Sequence, residues 1–197
     1  MSPGPTFERV YLELKRQLRE GTRPPGAPLE PTAIGDELGT SFTPVRDALH
    51  RLVGEGLVEN PLHNGFAVPR PTEQALRDLY SWNGDVVALL AARMSQSALA
   101  AAQDIGDRED VGILFAALAE ASGNREHVRA IAQLNDRLAP YRMLEPGFLP
   151  DMAEERVQIV RALSSPTPAK LGPIFRRYHR QRLAIVPALL AKITGKR

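Results

Sequence analysis

Ser41, Thr43, Arg46 and Arg51 fall close together in the stretch SFTPVRDALHR, and all are suited to holding anions. Their chemistry is recognition rather than bond making. Hydroxyls donate to phosphate oxygens, and an arginine can bridge the O6 and N7 acceptors of guanine. A second polar group, His63-Asn64-Gly65, follows at a turn. Three further candidates, Arg93, Arg156 and His179, lie far along the chain. A buried guanidinium offers paired hydrogen bonds to a carboxylate or phosphate. Groupings for catalysis are missing: there is no cysteine, no Gly-x-Ser-x-Gly, no Gly-x-Gly-x-x-Gly after a strand, no P-loop and no His-x-x-x-His. Glu154 and Glu155 are adjacent, so on a helix they point about 100° apart and cannot act as one acid–base pair. The chain is not expected to be an enzyme.

The elements that must position the first cluster are legible. Ala33, Ile34 and Leu38 share a helical face, and Gly39 reads as a left-handed helix stop. Ser41 or Thr43 can cap the next helix, and Pro44 fits its first turn. Val45, Ala48, Leu49, Leu52 and Val53 form an apolar stripe, leaving Arg46, Asp47, His50 and Arg51 opposite. Gly56 ends that helix. Leu57–Asn60 and Phe66–Val68 are strand candidates, and Asn64-Gly65 between them is a hairpin signal. Helix, turn, helix and hairpin is the layout of a winged helix-turn-helix, a reader of DNA.

Ser41-Phe42-Thr43-Pro44-Val45-Arg46-Asp47-Ala48-Leu49, Arg51-Leu52, Glu55-Gly56-Leu57-Val58 and Gly65 resemble the N-terminal domain of GntR-type bacterial transcription regulators. Tyr11-Leu12-Glu13-Leu14-Lys15 and Pro25-Gly26-Ala27-Pro28-Leu29 extend the likeness over roughly residues 7 to 70. The resemblance implies a DNA-binding dimer, usually a repressor released by a small metabolite. It places DNA contacts at Thr32, Ser41, Phe42, Thr43, Arg46, Arg51, His63, Asn64 and Gly65. Phe42 departs from the pattern, since relatives usually carry arginine there; an apolar contact to a thymine methyl is the expected substitute. Competing accounts are simple: Arg46 could pair with Asp47 or Asp36, Ser41 and Thr43 could only cap, and Asn-Gly could be only a turn.

Composition is compatible. The 197 residues are 43% hydrophobic, enough for two small domains. Absence of cysteine fits a reducing cytoplasm. The opening MSPGPTFERVYLELK does not read as a secretory signal, and no apolar run is long enough for a membrane span. Charge adds little: the net is +2, yet residues 1–72 hold eight Lys and Arg against nine Asp and Glu. A DNA reader needs cations on one face, not a basic total.

After Pro69-Arg70-Pro71 the pattern becomes helical throughout, with Thr72 a candidate cap. Leu76, Leu79, Tyr80, Val86, Val87 and Leu90 mark one or two helices through about Ala102. Val111–Ala121 is the next, and Val128, Ile131, Leu134 and Leu138 mark another, ended by Pro140. Met152–Leu163 and Ile174–Ile193 complete the set, the last kinked at Pro187. Tyr80 and Trp82 read as core or dimer contacts. The expected fold is α-rich α+β: a winged helix-turn-helix over residues 1–70, then an all-α bundle of about six helices over 71–197 for effector binding and dimerisation.

Leu118-Ala119-Glu120-Ala121-Ser122-Gly123-Asn124, the segment Glu154–Leu163 and Phe175–His179 resemble the FCD effector domain of GntR regulators. Many such domains hold a divalent cation with one Asp and three His. Aligned on the Ser122-Gly123-Asn124 turn, those positions fall on Gly112, Ala116, Arg156 and His179. One imidazole beside a guanidinium does not make a metal site, so no cofactor is expected. Arg156, His179 and Arg93 are instead candidates for gripping an acidic effector. Arg156 could equally pair with Glu155 or Asp151, and His179 could be an ordinary half-buried ring. Two alternatives to a dimeric, cytoplasmic, effector-controlled repressor remain open: an effector-independent DNA-binding factor, and a winged helix turned to protein binding.

Overall fold

The N-terminal unit is built on three helices. In the computed structural model, which describes residues 4–61, 65–95, 111–163 and 171–195, α1 spans Pro5–Arg19, α2 Pro31–Leu38 and α3 Phe42–Gly54. α3 packs against both α1 and α2. Their apolar stripes meet at Val10, Tyr11, Leu14, Ile34, Val45, Ala48, Leu49 and Leu52, all buried. Ile34 is in this core, but Ala33 is exposed, because neighbours on a helix diverge by about 100°. Gly39 ends α2 with φ 62°, ψ 46°, the left-handed turn that separates the two helices. Ser41 is the N-cap of α3 with extended backbone, yet its hydroxyl makes no capping bond, contrary to the capping expectation.

The expected strands shrink to isolated antiparallel bridges, Pro28↔Ala67 and Glu59↔Ala67. Glu59 and Ala67 exchange both backbone bonds at 2.9 and 3.0 Å, and Leu29 N–H donates to Phe66 O at 2.8 Å. Three extended segments therefore lie side by side. Pro28 lacks a donor, and Pro61 and Pro69 bound the other two segments, so no ladder extends. Gly65 has φ 86° and follows the wing turn.

The second unit is helical: α4 Glu73–Arg93, α5 Val111–Ala121, α6 Arg125–Arg142, α7 Met152–Leu163 and α8 Leu171–Thr194, with a short 3-10 turn at Glu145–Gly147. By contacts the chain divides into Met1–Pro71 with Lys192–Arg197, and Thr72–Ala191. Thr72 Oγ1 caps α4 by accepting from Ala75 N–H at 3.1 Å. Asn124 Oδ1 caps α6 by accepting from Glu126 N–H at 2.9 Å. Pro140 does not end α6 as expected. A proline removes only its own N–H bond, and Met143 N–H still reaches Ala139 O at 3.2 Å. Tyr80 is buried in the core, whereas Trp82 is 53% exposed. Leu76, Leu90, Leu114, Phe115, Leu118, Ile131, Leu138, Ile159, Phe175, Tyr178, Val186 and Leu189 form the centre of the bundle. No described helix is long and apolar enough to cross a membrane.

Candidate nucleic-acid interface and the polar cluster of the helical domain

α3 begins with an exposed edge. Ser41, Thr43 and Arg46 are exposed, and Phe42 is 47% exposed. Their spacing follows from the helix: Val45, Ala48, Leu49 and Leu52 take the core face, so positions 42, 43 and 46 face outward. Among the described residues Arg46 has neither a hydrogen bond nor an ion pair, so Asp36 and Asp47 do not hold it. Thr32 is exposed on the first turn of α2.

Other cations of this unit are engaged internally. Arg9 donates to Leu38 O at 3.1 Å, Lys15 pairs with Glu55 at 2.9 Å, and Arg23 with Glu37 at 2.6 Å. Arg16 pairs with Glu13 and Glu20. Arg51 lies 3.8 Å over the Tyr11 ring, 3.3 Å from Glu55 and 3.6 Å from Glu8. Its position is thus accounted for without any ligand. Burial alone would raise the Glu55 carboxyl, but hydrogen bonds from Lys15 and Tyr11, with the charges of Lys15 and Arg51, hold it below the usual range. His50 is exposed and meets Phe66 edge-on at 4.9 Å. His63 and Asn64 lie outside the described residues; Gly65 is exposed.

The expected effector residues do not gather. Arg93 is exposed at the end of α4, and Arg156 is half-buried with no hydrogen bond among the described residues. His179 alone is buried, at 5% exposure. Its Nδ1 lies 2.8 Å from Phe175 O and its Nε2 3.0 Å from Asn83 Oδ1; a neutral ring can donate to only one of these oxygens. Burial pushes the ring's pKa down to about 4, helped by the charges of Arg142 and Arg182, so it is neutral near pH 7.

Around His179 lie polar groups that the sequence reading passed over. Arg182, 1% exposed, donates to Glu145 at 3.1 Å and to Glu155 at 2.6 Å, while Tyr80 O–H donates to Glu145 at 2.8 Å. Arg142 donates to Asn135 Oδ1 at 2.8 Å and to Asn83 Oδ1 at 3.3 Å. Register was the available signal: Asn83 interrupts the apolar row of α4, and Arg182 falls on the buried row of α8.

A divalent cation does not fit here. Gly112 and Ala116 offer no side-chain donor, Arg156 brings a fixed positive charge, and both ring nitrogens of His179 face oxygens of the protein. Among the described residues no three His, Asp or Glu side chains converge.

Comparison with known proteins agrees with the N-terminal geometry. Residues 6–68 match the family described as bacterial regulatory proteins, gntR family. The chain is 29% identical over 151 residues to the HTH-type transcriptional regulator McbR of Escherichia coli, covering 75% of this chain and 65% of that protein. It is 36% identical over 87 residues to the HTH-type transcriptional repressor NagR of Bacillus subtilis, covering 43% and 36%. The chain thus spans less than two thirds of the length of either relative. A crystal structure of a GntR transcriptional regulator from Rhodococcus sp. RHA1 shares the fold, with TM-score 0.77 and 20% identity over 92% of this chain and 97% of that one. Through its N-terminal domain the chain belongs to the GntR family of bacterial regulatory proteins.

Proposed function

We propose that this chain is a DNA-binding transcription regulator, acting in the cytoplasm as a homodimeric repressor that reads a short inverted repeat. α3 enters the major groove, Arg46 reads a base edge, and Thr32, Ser41 and Thr43 donate to the phosphate backbone. Phe42 meets a thymine methyl, and His63, Asn64 and Gly65 of the wing approach the neighbouring groove. The helical domain, of the FCD type, carries the dimer contact and takes a small acidic effector, which favours one of two arrangements of the recognition helices.

The observation that carries this reading is the edge of α3. Ser41, Thr43 and Arg46 are exposed and without internal partners among the described residues, while Arg9, Lys15, Arg16, Arg23 and Arg51 are held by the domain itself. An enzyme reading has no comparable grouping. The relative NagR, named as a repressor, supports the sign of regulation.

The test is selection of binding sites from a random duplex pool. An inverted repeat with a fixed guanine in each half should be enriched by the wild type. With Arg46→Ala, preference at that position should fall by about 1–3 kcal/mol. Equal enrichment by both proteins would show that Arg46 reads no base.

A further inference from the structure

We propose that Asn83, Arg142 and Tyr178 form a metal-independent site for the carboxylate of a small organic acid. The proposal rests on the regulator reading for its consequence, since an acid bound here would be the effector.

α4 buries Leu76, Leu79, Tyr80, Val86, Val87 and Leu90, and among them one amide, Asn83, with no exposure at all. Its Oδ1 accepts from Arg142 Nη2, which can only donate, and this fixes the amide orientation. The amide nitrogen then has no partner. Arg142 Nε is likewise buried and unpartnered, as is the Tyr178 hydroxyl. These three groups surround one ring. The guanidinium of Arg142 lies 5.6 Å from the centroid of Phe115, and the Tyr178 ring is also 5.6 Å away. His179, stacked on Phe115 at 6.0 Å, joins Asn83 to the same group.

Every free polar atom here is a donor. Burial pushes the Tyr178 phenol up to about 12, so it keeps its proton. An unpaired buried donor costs about 1–3 kcal/mol, and three together call for an acceptor. Charge then selects which acceptor. Arg182 is neutralised by Glu145 and Glu155, but Arg142 has only the amide oxygens of Asn83 and Asn135 as partners among the described residues. Water would fill the donors and leave that charge uncompensated. A carboxylate supplies both the negative charge and two oxygens that accept several hydrogen bonds. The faces of Phe115 and Tyr178 offer apolar cover for its carbon skeleton. Arg93 and Arg156 are not needed for this site.

The experiment is isothermal titration calorimetry of the full chain in EDTA, with malonate, succinate, inorganic phosphate and, as a neutral control, malonamide. A dicarboxylate should bind and malonamide should not. Arg142→Gln should weaken that binding by about tenfold or more. Tyr178→Phe, which keeps the ring and the fold, should weaken it several-fold. The proposal is overturned by heat from none of the acids, by binding that is unchanged in both variants, by binding that needs an added divalent metal, or by binding of phosphate with neither carboxylate. DNA affinity of the wild type is measured separately. Its absence would sink the regulator reading and leave the calorimetric result standing.

Discussion

Arg46 and Arg51 sit on the same helix in opposite circumstances. Arg51 is stacked on Tyr11 and paired with Glu8 and Glu55, so removing it loosens α3 from α1. Arg46 holds nothing in its own chain, so removing it should leave folding intact. Phe42 is exposed beside it, an apolar ring with no core to enter. If that ring rests on a thymine methyl, replacing operator thymines by deoxyuridine should weaken wild-type binding by roughly 1 kcal/mol at one position. Phe42→Ala should be indifferent to the replacement, and equal sensitivity in both proteins would refute the contact. His179 makes a prediction of a different kind. The unfolded chain binds its proton near the ordinary pKa of 6.5, whereas the buried ring resists until about 4. Within that window the unfolded state carries the extra proton, so this group removes stability as pH falls and contributes no change above it. The full effect is about 3 kcal/mol at the acid end. NMR titration of the imidazole checks it directly; a midpoint near 6.5 in the folded protein would contradict the burial account. Arg46 was legible in the sequence because exposure follows from helical phase. The roles of Arg142 and Arg182 were not, because their partners lie on other helices and depend on how α4, α6 and α8 pack.

At the scale of elements, α8 shows how a defect is repaired. Pro187 lies inside the helix and has no N–H for the carbonyl four residues earlier, Leu183 O. Arg77 Nη1, from α4, donates to that carbonyl at 3.0 Å. Its other contact, an exposed ion pair with Glu73, is worth little. Arg77→Met should therefore cost about 1–2 kcal/mol, chiefly by orphaning Leu183 O. In a Pro187→Ala background the helix supplies its own donor, and the same substitution should cost nearly nothing. A double-mutant cycle by chemical denaturation measures this, and additive costs would mean that the two sites are independent. Helices were the readable part of this chain, because their periodicity and caps at Thr72 and Asn124 are local. The wing was less so. Leu57–Asn60 and Phe66–Val68 have strand-like sequences, but prolines at 28, 61 and 69 confine their pairing to single bridges.

The whole molecule joins two units of different chemistry. One offers an exposed, uncommitted edge on α3; the other encloses polar groups within an apolar bundle. The layout of the first could be read because turn, stripe and cap signals coincide within a short stretch. The second could be assigned as a helical bundle, yet its polar centre moved from Arg93 and Arg156 to Asn83, Arg142 and Tyr178. Sequence likeness supplied the first pair of candidates, while burial and hydrogen bonding supplied the others. Both units serve the same claim, that this chain recognises specific duplex DNA. Fluorescence anisotropy with the chain's own upstream intergenic DNA, at about 150 mM salt and with unlabelled random duplex as competitor, tests it most directly. Competitor-resistant binding at roughly 10⁻⁸ M or tighter is the predicted result. Binding only near 10⁻⁵ M, erased by random duplex, would be the phosphate contribution alone and would contradict the account.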